Sequence, residues 1–226
     1  MYDIIANMRI DLEKAHVQGI PEYIKNLQAI SDSLEDFRLE GKAALMFARA
    51  GCSVTIRKRA ESPDLALSFN NEQFYAEVKH FRMKEQDRRD AARMSDPNCC
   101  VDEFGPYLMP YGDTVPLEGK CAWEQVYDVA KDKIEKYKEH APYILVIESS
   151  SSSIDDVIMR TAINMINEDV RSGKCPEFAK LNGILLALDW CNISQQWRNV
   201  HFFRASNPAV PLSRELYVLL DKICLG

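Results

Sequence analysis

Apolar and polar positions along this chain alternate with two periods, and the change from one to the other marks out its elements. Residues 3–17 and 21–31 read as helices, with Gly19-Ile20-Pro21 as the break between them. A longer helix is expected over 32–50, opening on the polar Ser31-Asp32-Ser33 and stopping at Gly51. On a helical wheel Leu34, Phe37, Gly41, Ala44, Leu45 and Ala48 form its inner stripe. Glu40 lies at the edge of that stripe, near Phe37, Ala44 and Phe47. Three short strand-like runs follow, at 52–58, 65–69 and 74–80. Leu65, Leu67 and Phe69 share one face of the second. Phe74, Ala76 and Val78 share one face of the third, with Tyr75, Glu77 and Lys79 on the other. Asn70-Asn71 between them is a hairpin signal.

The pattern then weakens. Residues 82–94 are polar and compatible with a helix, and 95–120 are rich in Pro and Gly with no clear period, as in segments that carry function or move. An amphipathic helix returns at 122–139, with Trp123, Val126, Tyr127, Ala130, Ile134 and Tyr137 on one face. A strand is expected at 143–147, a helix at 154–171, strands at 183–188 and 199–204, and a last helix at 212–223. The order from residue 32 is α-β-β-β-α-β and then α-β-β-α, an α/β fold with a mixed β-sheet flanked by helices. No repeat or interdomain linker interrupts it. The expectation is a single domain over 1–226, with its core at 32–148. A helical extension at 1–31, an insertion at 81–120 and a C-terminal α/β extension at 149–226 complete it.

Composition narrows the classes of function. The 226 residues are 46% apolar and 27% charged, enough for a substantial core. The net charge of −6 denies the chain any bulk attraction to nucleic acid, so such contact needs a local basic patch or a bound metal. No apolar run is long enough for a transmembrane helix. The first residues lack the basic and apolar regions of a secretory signal. Seven cysteines, an odd number without a C-x-x-C pair, point to reduced thiols and a cytoplasmic location. Cys99-Cys100 has no second ligand pair at zinc spacing.

The hairpin carries the chemistry. With Asn70 and Asn71 as the two turn residues, Asp64 falls directly opposite Glu77, on the face away from Leu65, Leu67, Phe74 and Ala76. Lys79 projects from that face two residues on. A four-residue loop would set Asp64 opposite Lys79, with Glu77 as the diagonal neighbour. Either register gathers two carboxylates and one ammonium. Opposed carboxylates repel unless a cation lies between them, and Mg²⁺, which takes carboxylate oxygens and keeps several waters, suits that role. Glu40 adds a third carboxylate if its helix packs near the hairpin.

Pro63-Asp64, twelve intervening residues and Glu77-Val78-Lys79 resemble the PD-(D/E)xK motif of restriction-endonuclease-like nucleases. The resemblance covers about half the chain and implies an αβββαβ core, the order in which 32–148 reads. It further implies a metal-dependent nuclease that hydrolyses phosphodiester bonds, in DNA rather than RNA, with Mg²⁺ or Mn²⁺ as cofactor. Asp64, Glu77 and the Val78 carbonyl would hold the metal. Lys79 would orient or deprotonate water, and Glu40, matching the family's helix acid, would position a metal-bound water or a second metal. The alternatives are a catalytically inactive nuclease-like scaffold that binds a protein or nucleic-acid partner, and an enzyme acting on another phosphorylated substrate. No recognisable DNA-targeting motif is present, so targeting would come from a protein partner or from the insertion.

Other features admit two readings. Lys79, Arg82, Lys84, Arg88, Arg89 and Arg93, against Glu85, Asp87 and Asp90, are phosphate contacts or a solvated helix face. Arg57-Lys58-Arg59 is a second basic cluster. Gln125 and Lys131 are candidates for the residue that, in the family, assists from the helix after the Glu-x-Lys strand. Ser153 with Asp156 resembles a helix N-cap with an acidic first turn. His201 reads as a structural histidine, and His80 points away from Lys79.

Overall fold

The computed structural model describes residues 2–29, 34–57, 63–81, 99–101, 107–110, 115–116, 121–136, 141–149, 154–191, 194 and 196–225. Three helices open the chain: α1 (Tyr2–Lys14), α2 (Ile20–Ala29) and α3 (Leu34–Arg49). Strands β1 (Ser53–Ile56), β2 (Leu65–Phe69) and β3 (Glu72–Phe81) follow, then short strands β4 (Cys99–Val101), β5 (Tyr107–Pro110) and β6 (Val115–Pro116). The second half holds α4 (Ala122–Lys136), β7 (Tyr143–Ser149), α5 (Asp156–Ser172), a 3₁₀ turn at Pro176–Lys180, β8 (Leu181–Cys191), β9 (Gln196–Arg204) and α6 (Arg214–Leu225).

The main sheet is ordered β1-β2-β3-β7-β8-β9. β1, β2 and β3 are antiparallel neighbours, while β3, β7 and β8 run parallel, joined by the α4 and α5 crossovers. β9 returns antiparallel to β8 at the far edge. The α/β class with a mixed sheet between helices is therefore observed, and α3-β1-β2-β3-α4-β7 runs in the αβββαβ order. Parallel strands covered on both faces should be apolar throughout. Tyr143–Ile147 and Leu181–Ala187 are indeed buried without interruption.

Two cores separate across the sheet. Phe74, Ala76, Val78, Ile144 and Val146 face α1, α2, α3 and α6. Leu145, Ile147, Ile184 and Leu186 face α4 and α5. Alternation in β8 breaks at Asp189, whose φ of 57° lies in the left-handed region. Trp190 therefore joins the α3 side, although Leu188, two residues earlier, packs toward α5.

Several details differ from the expectations. Residues 95–120, read as lacking a period, contain the three-stranded antiparallel sheet β4-β5-β6. Its strands are only two to four residues long, too short to show an alternating pattern. α5 is capped by Asp155, not Ser153: the Asp155 side chain accepts the Ile158 N–H at 2.9 Å. α3 is buried beyond one stripe, since Leu39, Lys42, Ala43 and Phe47 are covered as well as Ala44 and Leu45. It lies between the sheet and the α1–α2 pair, so two of its faces are covered. The segment 82–94 with its arginines, Lys58, Arg59, Tyr137 and Ser150–Ser153 lie outside the described residues, as do the side chains of Leu34 and Phe37. The cysteine side chains that are described, Cys52, Cys121, Cys175, Cys191 and Cys224, are thiols, not disulfides. No described helix is long and apolar enough to cross a membrane.

The open edge of β1 is covered by the chain between α1 and α2. Gln18 bridges Thr55, its N–H donating to the Val54 carbonyl at 2.9 Å and its carbonyl accepting from Ile56 at 3.0 Å. This approach requires Gly19, which has φ +83° and whose absent Cβ would stand 2.3 Å from the Ile56 carbonyl oxygen. Gly19→Ala should cost at least about 1–3 kcal/mol from backbone strain, before the clash with Ile56 is added. Each 1 kcal/mol lowers Tm by about 2–4 °C at this chain length. A thermal melt that matches wild type would show that the chain before α2 detaches from β1 without loss.

Candidate active site

The Asn70-Asn71 turn sets the site. Both asparagines have positive φ, 49° and 65°, the conformation of a two-residue type I′ turn. The ladder runs from Phe69↔Glu72 to Leu65↔Ala76, which is the two-residue register and not the four-residue alternative. Past Leu65 the strands part. The Val78 N–H, which would continue the ladder, donates instead to Oδ2 of Asp64 at 2.9 Å. The Asp64 carbonyl accepts from the Arg57 N–H at 2.8 Å. Asp64 is thus held between the end of β1 and the middle of β3.

Glu77 stands on the α4 side of β3, only 4% exposed, beside Leu145 in the parallel ladder. It forms an ion pair with Lys133 of α4, whose side chain is 25% exposed. Glu40, half-buried on α3, acts electrostatically on both Asp64 and Lys133. Three carboxylates and one ammonium thus share a single field.

Its charges are unequal, and the titration of its groups reflects that. Burial, then the charges of Glu77 and Glu40, hold the Asp64 carboxyl well above the usual carboxylate range. The Val78 N–H and Lys133 offset this only in part. Burial alone would lower the Lys133 ammonium, but Glu77, Asp64 and Glu40 outweigh it and raise the group above an ordinary lysine. Burial, then Glu40, hold the Tyr23 phenol far above its usual range, and the Gly41 backbone hydrogen-bonds its oxygen. Tyr23 is fully buried, and a Cβ on Gly41 would stand 2.3 Å from its hydroxyl. The N-terminal helices therefore support the residue that carries Glu40.

The remaining candidates are placed as follows. Lys79 is half-buried beside Ile147, and its side chain shares the Glu77 face by strand parity. It is not among the charges acting on Asp64 or Lys133. Arg57 lies 5.3 Å from the ring of Tyr75, another residue on the Glu77 face. Gln125 is buried and Lys131 exposed. His201, expected to be structural, is exposed, with Nδ1 3.4 Å from Asp156. Lys133 is the residue that sequence reading passed over. It falls seven positions after Val126 and three after Ala130, both buried, so a lysine on an inner stripe was the available signal.

The donor set fits a divalent cation in kind: all three side chains offer hard carboxylate oxygens. Among the described residues no three His, Cys, Asp or Glu side chains are grouped closely enough to hold an ion. Glu77 is engaged by Lys133, which acts as its counter-ion in this arrangement.

A raised Asp64 means that the folded chain binds a proton there more tightly than the unfolded chain. Metal-free stability should therefore fall as pH rises from the ordinary carboxylate value through the raised one. Asp64→Asn removes that loss and can still accept the Val78 N–H. Its Tm should exceed that of wild type by an amount that grows as pH rises above the ordinary carboxylate value, about 2–4 °C per 1 kcal/mol. Parallel Tm–pH curves in a chelating buffer would refute the raised carboxyl. Comparison with family models, with curated proteins and with solved structures gives no match.

Proposed function

We propose that this chain is a metal-dependent nuclease that hydrolyses phosphodiester bonds, with DNA as substrate. The observation that carries the reading is the meeting of Asp64, Glu77 and Glu40, from three separate elements, around one ammonium. Ionising all three acids at such short range is costly, and a bound cation would offset that cost. Asp64 and Glu77 would hold Mg²⁺ or Mn²⁺, with the Val78 carbonyl and Glu40 as further oxygen donors. The chemistry such a metal would supply there is polarisation of the scissile phosphate and activation of water.

The protein's own groups do the rest. Asp64 gives up its proton to become a ligand, so metal affinity rises with pH. Lys133 parts from Glu77 and is left as a cation beside the phosphate, where charge develops. Lys79, on the same face, orients the attacking water. Arg57, near the Asp64 backbone, neutralises a flanking phosphate.

A second reading is favoured by the Glu77–Lys133 ion pair: a nuclease-like scaffold that no longer cleaves and binds a protein or nucleic-acid partner. There the ammonium is a permanent substitute for the metal. Calorimetric Mn²⁺ titration at two pH values, with cleavage assays on plasmid, single-stranded DNA and RNA, separates the two. The nuclease reading expects tighter Mn²⁺ binding at the higher pH and metal-dependent DNA cleavage. Asp64→Asn and Glu77→Gln should each reduce cleavage by at least about 10²-fold, the scale of losing one transition-state charge contact. A well-folded protein that binds no Mn²⁺ and cleaves nothing would leave the scaffold.

A further inference from the structure

On the opposite side of the sheet, between α3, β9 and α6, lies a cavity of about 300 Å³. That is the lower end of the range for small-molecule sites. Its wall is apolar: Met46 of α3, Trp197 and Val200 of β9, and Leu219 of α6. Trp197, Val200 and Leu219 are buried, so these surfaces belong to the α3-side core and are not loose surface groups. The polar lining is equally distinctive. Arg49, the last residue of α3, and Lys222, in the last turn of α6, both line the cavity and are exposed. No acidic side chain lines it among the described residues.

The wall is rigid as well as apolar. The Trp197 indole N–H donates to Oε1 of Glu148 at 3.0 Å, and the same oxygen accepts from the buried Lys42 ammonium at 2.6 Å. Trp190 packs edge-on to Trp197 at 5.1 Å, with Lys42 5.0 Å from its ring centre. Arg49 is steadied by a bond to the Ser194 carbonyl at 3.2 Å. A ligand therefore meets a surface already in place and has little ordering cost to overcome.

From this geometry we infer a binding site for a small apolar carboxylate, its hydrocarbon body against Trp197, Val200, Met46 and Leu219 and its anionic end toward Arg49 and Lys222. The apolar wall favours the body by its removal from water. The two cations select the anion over a neutral molecule of the same shape. Glu148 closes the β7 end of the network that holds Trp197, so the site is built on the same sheet as the carboxylate cluster but does not include it.

Octanoate and its neutral counterpart octanol are the probes. Titrations are followed by the indole N–H resonances of the full chain in ¹H–¹⁵N spectra. Octanoate should bind with a Kd below about 1 mM. It should shift the Trp197 indole signal and leave Trp123, on α4 across the sheet, in place. Octanol should bind more weakly. Lys222→Glu should weaken octanoate roughly tenfold, and Arg49→Gln should weaken it in the same direction. Neither should alter the octanol titration, because both side chains are exposed and outside the apolar wall. Failure of millimolar octanoate to move the Trp197 signal would overturn the inference. So would octanol binding as tightly as octanoate, or unchanged octanoate affinity in both variants with unaltered folded spectra.

Discussion

Two asparagines held in left-handed backbone conformation, Asn70 and Asn71, determine which residues of β2 and β3 face each other. In a hairpin the side-chain period is two, so a slip of one residue would exchange the faces of every side chain on β3. Glu77 and Lys79 would then lie among Leu65, Leu67 and Phe47, and Phe74, Ala76 and Val78 would face α4. Burial on both sides of the sheet forbids that slip: Phe74 and Ala76 are fully buried against α3, and Phe74 meets Phe47 edge-on at 6.1 Å. The turn and the core therefore enforce the same register, and the register brings Asp64 beside Glu77.

The consequence is a concentration of charge in a place with little water. Glu77 is almost wholly covered, and the Asp64 carboxyl is kept from ionising as an exposed one would. Lys133 offsets part of this, reaching across from a helix that also buries Gln125 and the apolar Val126, Ala130 and Ile134. Elsewhere in the sheet, Lys42 and Glu148 form a second enclosed ion pair, and there the accounting is even: one cation, one anion and an indole N–H for the same oxygen. That pair is a fixed support for Trp197, whereas in the first cluster the neighbouring acids raise the Asp64 carboxyl and the Lys133 ammonium together.

Support reaches the first cluster from the chain's beginning. Tyr23 of α2 fills the space left by the missing side chain of Gly41 and brings its hydroxyl to the turn of α3 that bears Glu40. Gly19 lets the same segment close over β1. The N-terminal helices are thereby part of the architecture around the site, and not an appendage to it.

Much of this was legible in the amino-acid order. Local signals do not depend on distant partners: the period of the strands, the Asn-Asn turn, the inner stripe of α4 and the helix stop at Gly51. These were enough for the α/β class and the αβββαβ order, and for expecting Asp64 near Glu77; the strands part past Leu65, so the ladder itself does not pair the two. Glu40 could be named from its position at the edge of a helical stripe. The short strands β4–β6 were not legible, since two to four residues carry no period. Nor was the choice of ammonium. Lys79 is two residues from Glu77 in sequence, but Lys133, 56 residues away, is the one that pairs with it. Sequence by itself decided which side chains could lie on a common face, because that follows from backbone period. Only the tertiary structure decided which of them touch, because that depends on how the α4 crossover packs on the sheet and on where burial makes a missing counter-charge costly.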